Sequence, residues 1–116
     1  MRRDRLRQIG EKGLMQPAIA VIGTLRFPPE RMPELKVHLK ALVEATHRND
    51  GCIAYDVGED IFDPGLLRFS ELWPDAETLA GHLKASHMDP WRKAMADQGL
   101  MEREFTVYDL SGARPL

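Results

Sequence analysis

His82 and His87 are the side chains in this sequence best suited to proton chemistry near neutral pH. They follow Glu71-Leu72-Trp73-Pro74-Asp75, where a strand ends in an aromatic and Pro-Asp opens a helix. Two histidines beside a tryptophan suit the wall of a small-molecule pocket. Metal-binding pairs on a helix sit at i and i+4, on one face. This pair lies five residues apart, which turns the second ring by roughly 140° on an ideal helix. Unless the helix breaks between them, one metal cannot take both, and no metal site is expected.

Each of these residues also has a plainer reading. His82, three residues after Leu79, is expected to face the sheet and a pocket. His87, beside Asp89-Pro90, could instead bond to backbone carbonyls where the chain turns between helices. His38 is expected to be solvated, and His47 to gain from the C-terminal dipole of its helix. Trp73 could be core alone. Trp91 could cover a pocket mouth or fasten its short helix. Glu71 shares a strand face with Phe69 and Trp73, so its carboxylate needs a partner, for which an arginine at a dimer seam would serve. Cys52 reads as a small buried apolar group, since a nucleophilic role would require an activating histidine in space.

The elements that must position these residues follow from the apolar pattern. Ala18 to Phe27 reads as a strand, with Ile19, Val21, Leu25 and Phe27 on one face around Gly23. Pro28-Pro29 stops it. A helix from about Arg31 to Arg48 carries one stripe of Met32, Leu35, Leu39, Leu42, Val43 and Thr46. Asn49-Asp50-Gly51 ends that helix with residues that tolerate the left-handed cap conformation. A second strand spans Cys52 to about Glu59, and Asp63-Pro64-Gly65 is a turn signal. The third strand, Leu66 to Trp73, precedes a helix capped by Asp75, with Leu79 and Leu83 facing inward. Asp89-Pro90 predicts a short helix to about Gln98, and Glu102 to Leu110 a last strand.

This order is the ferredoxin-like βαββαβ arrangement, an α+β fold with an antiparallel sheet and its helices on one face. Residues 17–110 are expected to form this domain, 1–16 a flexible N-terminal extension and 111–116 a tail. Ala20 and Ile22 point to the other sheet face, which a two-fold homodimer joined sheet to sheet would bury.

Composition narrows the function classes. With 16 basic and 18 acidic residues, no electrostatic footprint for nucleic acid is present. Arg2, Arg3, Arg5, Arg7 and Lys12 alternate with Asp4, Gln8 and Glu11, so the segment reads as a solvated arm. The apolar run Ala18 to Gly23 is too short for a signal sequence and nothing approaches a membrane span. Cys52 is the single cysteine, so no intrachain disulfide forms and a cytoplasmic location is expected.

From about Ala18 to Tyr108 the chain resembles the antibiotic biosynthesis monooxygenase domain, the small dimeric α+β barrels that include quinol monooxygenase-like proteins. The resemblance lies in Asp50-Gly51-Cys52-x-x-Tyr55, in Glu71-x-Trp73, and in His82 with Ser86-His87. It implies a homodimer with one pocket per subunit between sheet and helices. It also implies oxidation of a quinol or anthrone-type phenol by dioxygen, with no metal, haem or flavin. In that setting His82 or His87 would be the base, and Tyr55 and Trp73 aromatic walls. Tyr108 or Arg68 would hydrogen-bond oxygen, with Trp91 at the pocket. Haem-degrading relatives use an asparagine on the first strand, and this strand has none, which argues against haem. Two further functions fit the same residues: an isomerase or lyase acting by enolisation, and a dimer that binds a small molecule without turnover.

Overall fold

The computed structural model describes residues 16–116. The N-terminal extension expected over 1–16, basic arm included, lies outside the described residues apart from Gln16. The elements are β1 (Ile19–Arg26), a 3₁₀ turn (Pro29–Arg31), α1 (Met32–Asn49), β2 (Ala54–Glu59), β3 (Leu66–Trp73), α2 (Ala76–Lys84), α3 (Met88–Asp97) and β4 (Glu102–Asp109). The strands form one antiparallel sheet in the order β2-β3-β1-β4. This is the ferredoxin-like α+β fold, with β1 and β3 at the centre and the short α3 added between α2 and β4.

The period of two along the strands decides which side chains meet the helices. Register pairs Ile19 with Trp73, Val21 with Glu71, Gly23 with Phe69 and Leu25 with Leu67. These residues face inward, where Trp73, Leu25 and Leu67 are almost fully buried. The apolar stripe of α1 supplies Met32, Leu35, Leu39 and Leu42 to the same core. Pro33 is harmless because it falls in the first turn of α1, where N–H groups have no intrahelical partner. The other sheet face carries Ala20, Ile22, Leu72 and Tyr108 without a covering layer, and Ile22 is 49% exposed.

Details differ from the sequence expectation at element ends and on α2. The second strand begins at Ala54 rather than Cys52. Leu83 borders the cavity between sheet and helices but stays 47% exposed, and His82 is the buried residue of α2.

Candidate active site

Two chain breaks build the site. Gly51, at φ +73°, ends α1 in the left-handed conformation that a side chain would strain. Asp50 immediately before it is thereby fixed at the helix end, where its N–H bonds the Thr46 carbonyl at 3.1 Å. The second break separates the histidines. Asp75 caps α2 by accepting from the Thr78 N–H at 2.7 Å, and the helix ends at Ala85, which is extended (φ −65°, ψ 142°). A continuous helix would set the Pro90 ring against the Ser86 carbonyl. Restarting at Met88 places Pro90 in the first turn of α3, where it does no damage.

Because the helix breaks, the rings that its continuous geometry would hold apart converge. His82 Nδ1 donates to Asp50 Oδ2 at 2.6 Å, and His87 Nε2 donates to the same oxygen at 2.7 Å. A carboxylate oxygen only accepts, so His82 carries its hydrogen on Nδ1 and keeps its lone pair on Nε2. The spacing argument against a shared metal held only for an unbroken helix, and with the break at Ala85 both rings reach one group, Asp50. The three donor atoms lie within 4.8 Å of one another, a grouping of the kind that holds a metal ion. Their nearest approaches of 2.6 and 2.7 Å are hydrogen-bond lengths. Neighbouring ligands on a tetrahedral zinc, each at about 2.1 Å from the metal, stand about 3.4 Å apart.

His82 is 3% exposed and lies against two aromatic rings, with centroids 5.2 Å from Tyr55 and 4.9 Å from Trp73. Burial pulls its pKa below the usual histidine value, opposed by the hydrogen bond to Asp50. The ring is therefore held neutral, as a base must be. It borders a cavity of about 140 Å³ between the sheet and the helices α2 and α3. The walls include Leu25, Phe69, Met88, Trp91 and Phe105, and the polar groups are Tyr55, Glu71, His82 and Arg103.

Glu71 is the second unusual group of this cavity. It is 5% exposed, and the Trp73 indole N–H donates to its carboxyl oxygen at 2.9 Å. The arginine expected from a dimer seam is not its partner, since Glu71 faces the helices and not the open side of the sheet. Burial pushes its pKa up to about 7, with the Trp73 hydrogen bond working the other way. Tyr55, opposite Glu71 on β2, is held well above its ordinary value by burial and then by the Glu71 charge.

Of the residues expected at a site, Tyr55, His82 and Trp91 border the cavity. Trp73 stands one layer back, fully buried, against His82 and Glu71. His87 is half-buried and reaches the cavity only through Asp50 and His82. Arg68 and Tyr108 lie elsewhere. Register sets them beside Thr24 and Ala20, on the face away from the helices, and Arg68 donates to Asp60 at 2.7 Å. In the sequence Asp50 reads only as a helix stop, although it opens the Asp50-Gly51-Cys52-x-x-Tyr55 motif, and Arg103 carries no signal. His47, expected to gain from a helix dipole, hydrogen-bonds the Tyr55 carbonyl at 2.9 Å.

The profile of the antibiotic biosynthesis monooxygenase family matches residues 18–94. Solved structures share the fold. A conserved protein from Methanosarcina mazei Go1 is 27% identical at a TM-score of 0.74, covering 82% of this chain and 94% of that one. A candidate antibiotic biosynthesis monooxygenase from Deinococcus radiodurans is 26% identical at 0.77, covering 84% and 97%. A protein from Mycobacterium tuberculosis is 25% identical at 0.73, covering 84% and 98%. No curated protein matches the sequence at a significant level. With Asp50, Glu71, Trp73, His82 and His87 drawn together beside one cavity and the family profile running through them, the chain belongs to the antibiotic biosynthesis monooxygenase family.

Proposed function

We propose that this protein is a cofactor-independent monooxygenase that oxidises a quinol-like or other phenolic small molecule with dioxygen, with His82 as the base. The observation that carries the reading is the Asp50–His82 pair, 2.6 Å apart with both side chains buried, which sets His82 on the cavity wall. Asp50 fixes the tautomer, so Nε2 of His82 is the nitrogen that takes the phenolic proton. The phenolate is electron-rich enough to reduce dioxygen directly, and recombination at a ring carbon gives a hydroperoxide. Loss of water from that intermediate yields the oxidised ring: a quinol and O₂ become a hydroxyquinone and H₂O. The protein's contribution is burial, orientation and the base. His87 acts as a positioning residue that holds the shared Asp50 oxygen.

A homodimer joined through the open sheet face belongs to the same proposal, supported by the uncovered Ala20, Ile22, Leu72 and Tyr108. A second reading, an isomerase acting by enolisation, is favoured by the presence of two proton acceptors, His82 and Glu71, on one cavity.

The test is oxygen uptake by metal-free protein against a panel of quinols and anthrones, with His82→Ala and His87→Ala in parallel. Uptake with oxygenated product, lost in His82→Ala and only reduced in His87→Ala, is the expected result. Isomer formation under argon without oxygen uptake would replace the first reading with the second. Binding without turnover in either assay would leave a binding protein.

A further inference from the structure

The cation of the cavity lining is Arg103, and it sits at the mouth. Along β4 the helix-facing side carries Arg103, Phe105 and Val107, paired with Leu25, Gly23 and Val21 of β1. The acidic neighbours of Arg103, Glu102 and Glu104, point to the other face, where Glu102 lies 3.6 Å from Arg26. Among the described residues Arg103 forms no ion pair. Its guanidinium lies 5.0 Å from the centroid of the Phe105 ring, a cation–π placement that keeps it at the cavity wall. Arg103 is exposed while Glu71 is buried, so cation and carboxyl mark the outer and inner ends of the space. In register the two are offset by the four residues from Leu25 to Val21, about 13 Å along the strand.

Size sets the second condition. A dry apolar cavity of about 150 Å³ in another protein accepts benzene, and the space here is about 140 Å³. It encloses one six-membered ring, and any further fused ring has to extend through the mouth.

We propose that Arg103 is an anion-binding subsite, and that the cavity takes a single-ring hydroxyaromatic bearing a carboxylate. The carboxylate meets the planar guanidinium at the mouth. Leu25, Phe69, Trp91 and Phe105 enclose the ring. The hydroxyl enters toward His82 and Glu71, where a carboxylate would be repelled and desolvated. A lone cation beside low-dielectric walls also draws anions inward, an effect that salt weakens at this exposed position. The inference rests on this cavity being the ligand site, and not on which reaction follows.

Calorimetric titration of the full chain with 4-hydroxybenzoate and with its neutral isostere 4-hydroxybenzamide tests it. The acid is expected to bind about three- to tenfold tighter than the amide at low salt, the range of a partly exposed charge-assisted pair. High salt should shrink that preference, Arg103→Gln should abolish it, and Arg103→Lys should restore part of it. Equal affinities for acid and amide, or a preference that survives Arg103→Gln, would overturn the anion subsite. If neither compound binds while larger quinols still drive oxygen uptake, the size inference fails and the monooxygenase reading stands.

Discussion

The indole N–H of Trp73 donates to the carboxyl of Glu71 at 2.9 Å, two positions away on the same face of β3 and inside the cavity wall. One neutral donor is a weak substitute for the water that a carboxylate loses on burial, so the Glu71 pKa rises to about 7. The folded state therefore holds a proton on Glu71 that the unfolded chain has released above its ordinary value of 4.5. Stability from this group is complete below about 4.5 and is lost as pH rises through about 7. The full interval corresponds to roughly 3 kcal/mol, an order-of-magnitude figure. Urea unfolding across this range should show stability falling with pH, and Glu71→Gln should flatten that slope. A slope unchanged by Glu71→Gln would place the titration elsewhere. His82 works in the opposite sense. Its pKa is lowered, so its contribution is present above the ordinary histidine value of 6.5 and is lost as pH falls through the lower folded value.

Asp50 and His82 predict a specific kinetic signature. In Asp50→Asn the amide no longer fixes the Nδ1–H tautomer, and the charge that supports His82 protonation is gone. Turnover should drop by about a hundredfold or more, the scale of a misdirected general base. The acidic limb of kcat/KM should also move to lower pH, because the hydrogen bond to Asp50 is the main influence raising the His82 pKa against burial. His87→Ala removes only a second donor to the same oxygen and should cost roughly tenfold, with KM unchanged. Equal losses in His82→Ala and His87→Ala would make His87 a direct participant.

Much of this arrangement was legible in the sequence where local chemistry decides it. Pro28-Pro29, Asn49-Asp50-Gly51, Asp63-Pro64-Gly65 and Asp75 mark element ends whatever the tertiary context, and alternation along β1 and β3 sorts the faces. The meeting of Asp50 with His82 and His87 was not legible, since it joins positions 32 and 37 residues apart. It also depends on the break at Ala85, for which the chain gives only the indirect signal of Pro90. The face of Arg68 was readable from its place between Leu67 and Phe69, whereas Arg103 acquires its position from the pairing of β4 with β1.

Gly23 makes a packing prediction that also reaches the cavity. A Cβ built there would stand 2.1 Å from Cδ2 of Phe105, whose ring lies across the glycine and meets Phe69 at 5.3 Å. Gly23→Ala must displace Phe105, an overpacking cost of about 1–3 kcal/mol. The denaturation midpoint should fall accordingly, and Phe105→Leu in the same chain should recover part of the loss. Full stability in Gly23→Ala alone would show that Phe105 moves freely, and its role as a fixed cavity wall would go with that result.

The Asp50–His82–His87 cluster supplies the last prediction, because its donor set admits two readings that differ in one measurement. As a hydrogen-bonded group, both imidazoles keep the hydrogens that they donate to Asp50, and turnover does not depend on a metal. As a metal site, those hydrogens are displaced, the donor atoms spread to about 3.4 Å apart, and His82 Nδ1 becomes a ligand. Metal binding then uses the side of the ring that Asp50 occupies and changes the basicity of Nε2. Protein dialysed exhaustively against a strong chelator should keep its oxygen uptake within about twofold, as a general base independent of metal requires. Added zinc, if it enters the cluster, should inhibit, and His87→Ala should relieve that inhibition by removing one ligand. Loss of activity on chelation, restored by a stoichiometric divalent ion, would instead make the cluster a catalytic metal centre and remove His82 from its role as free base.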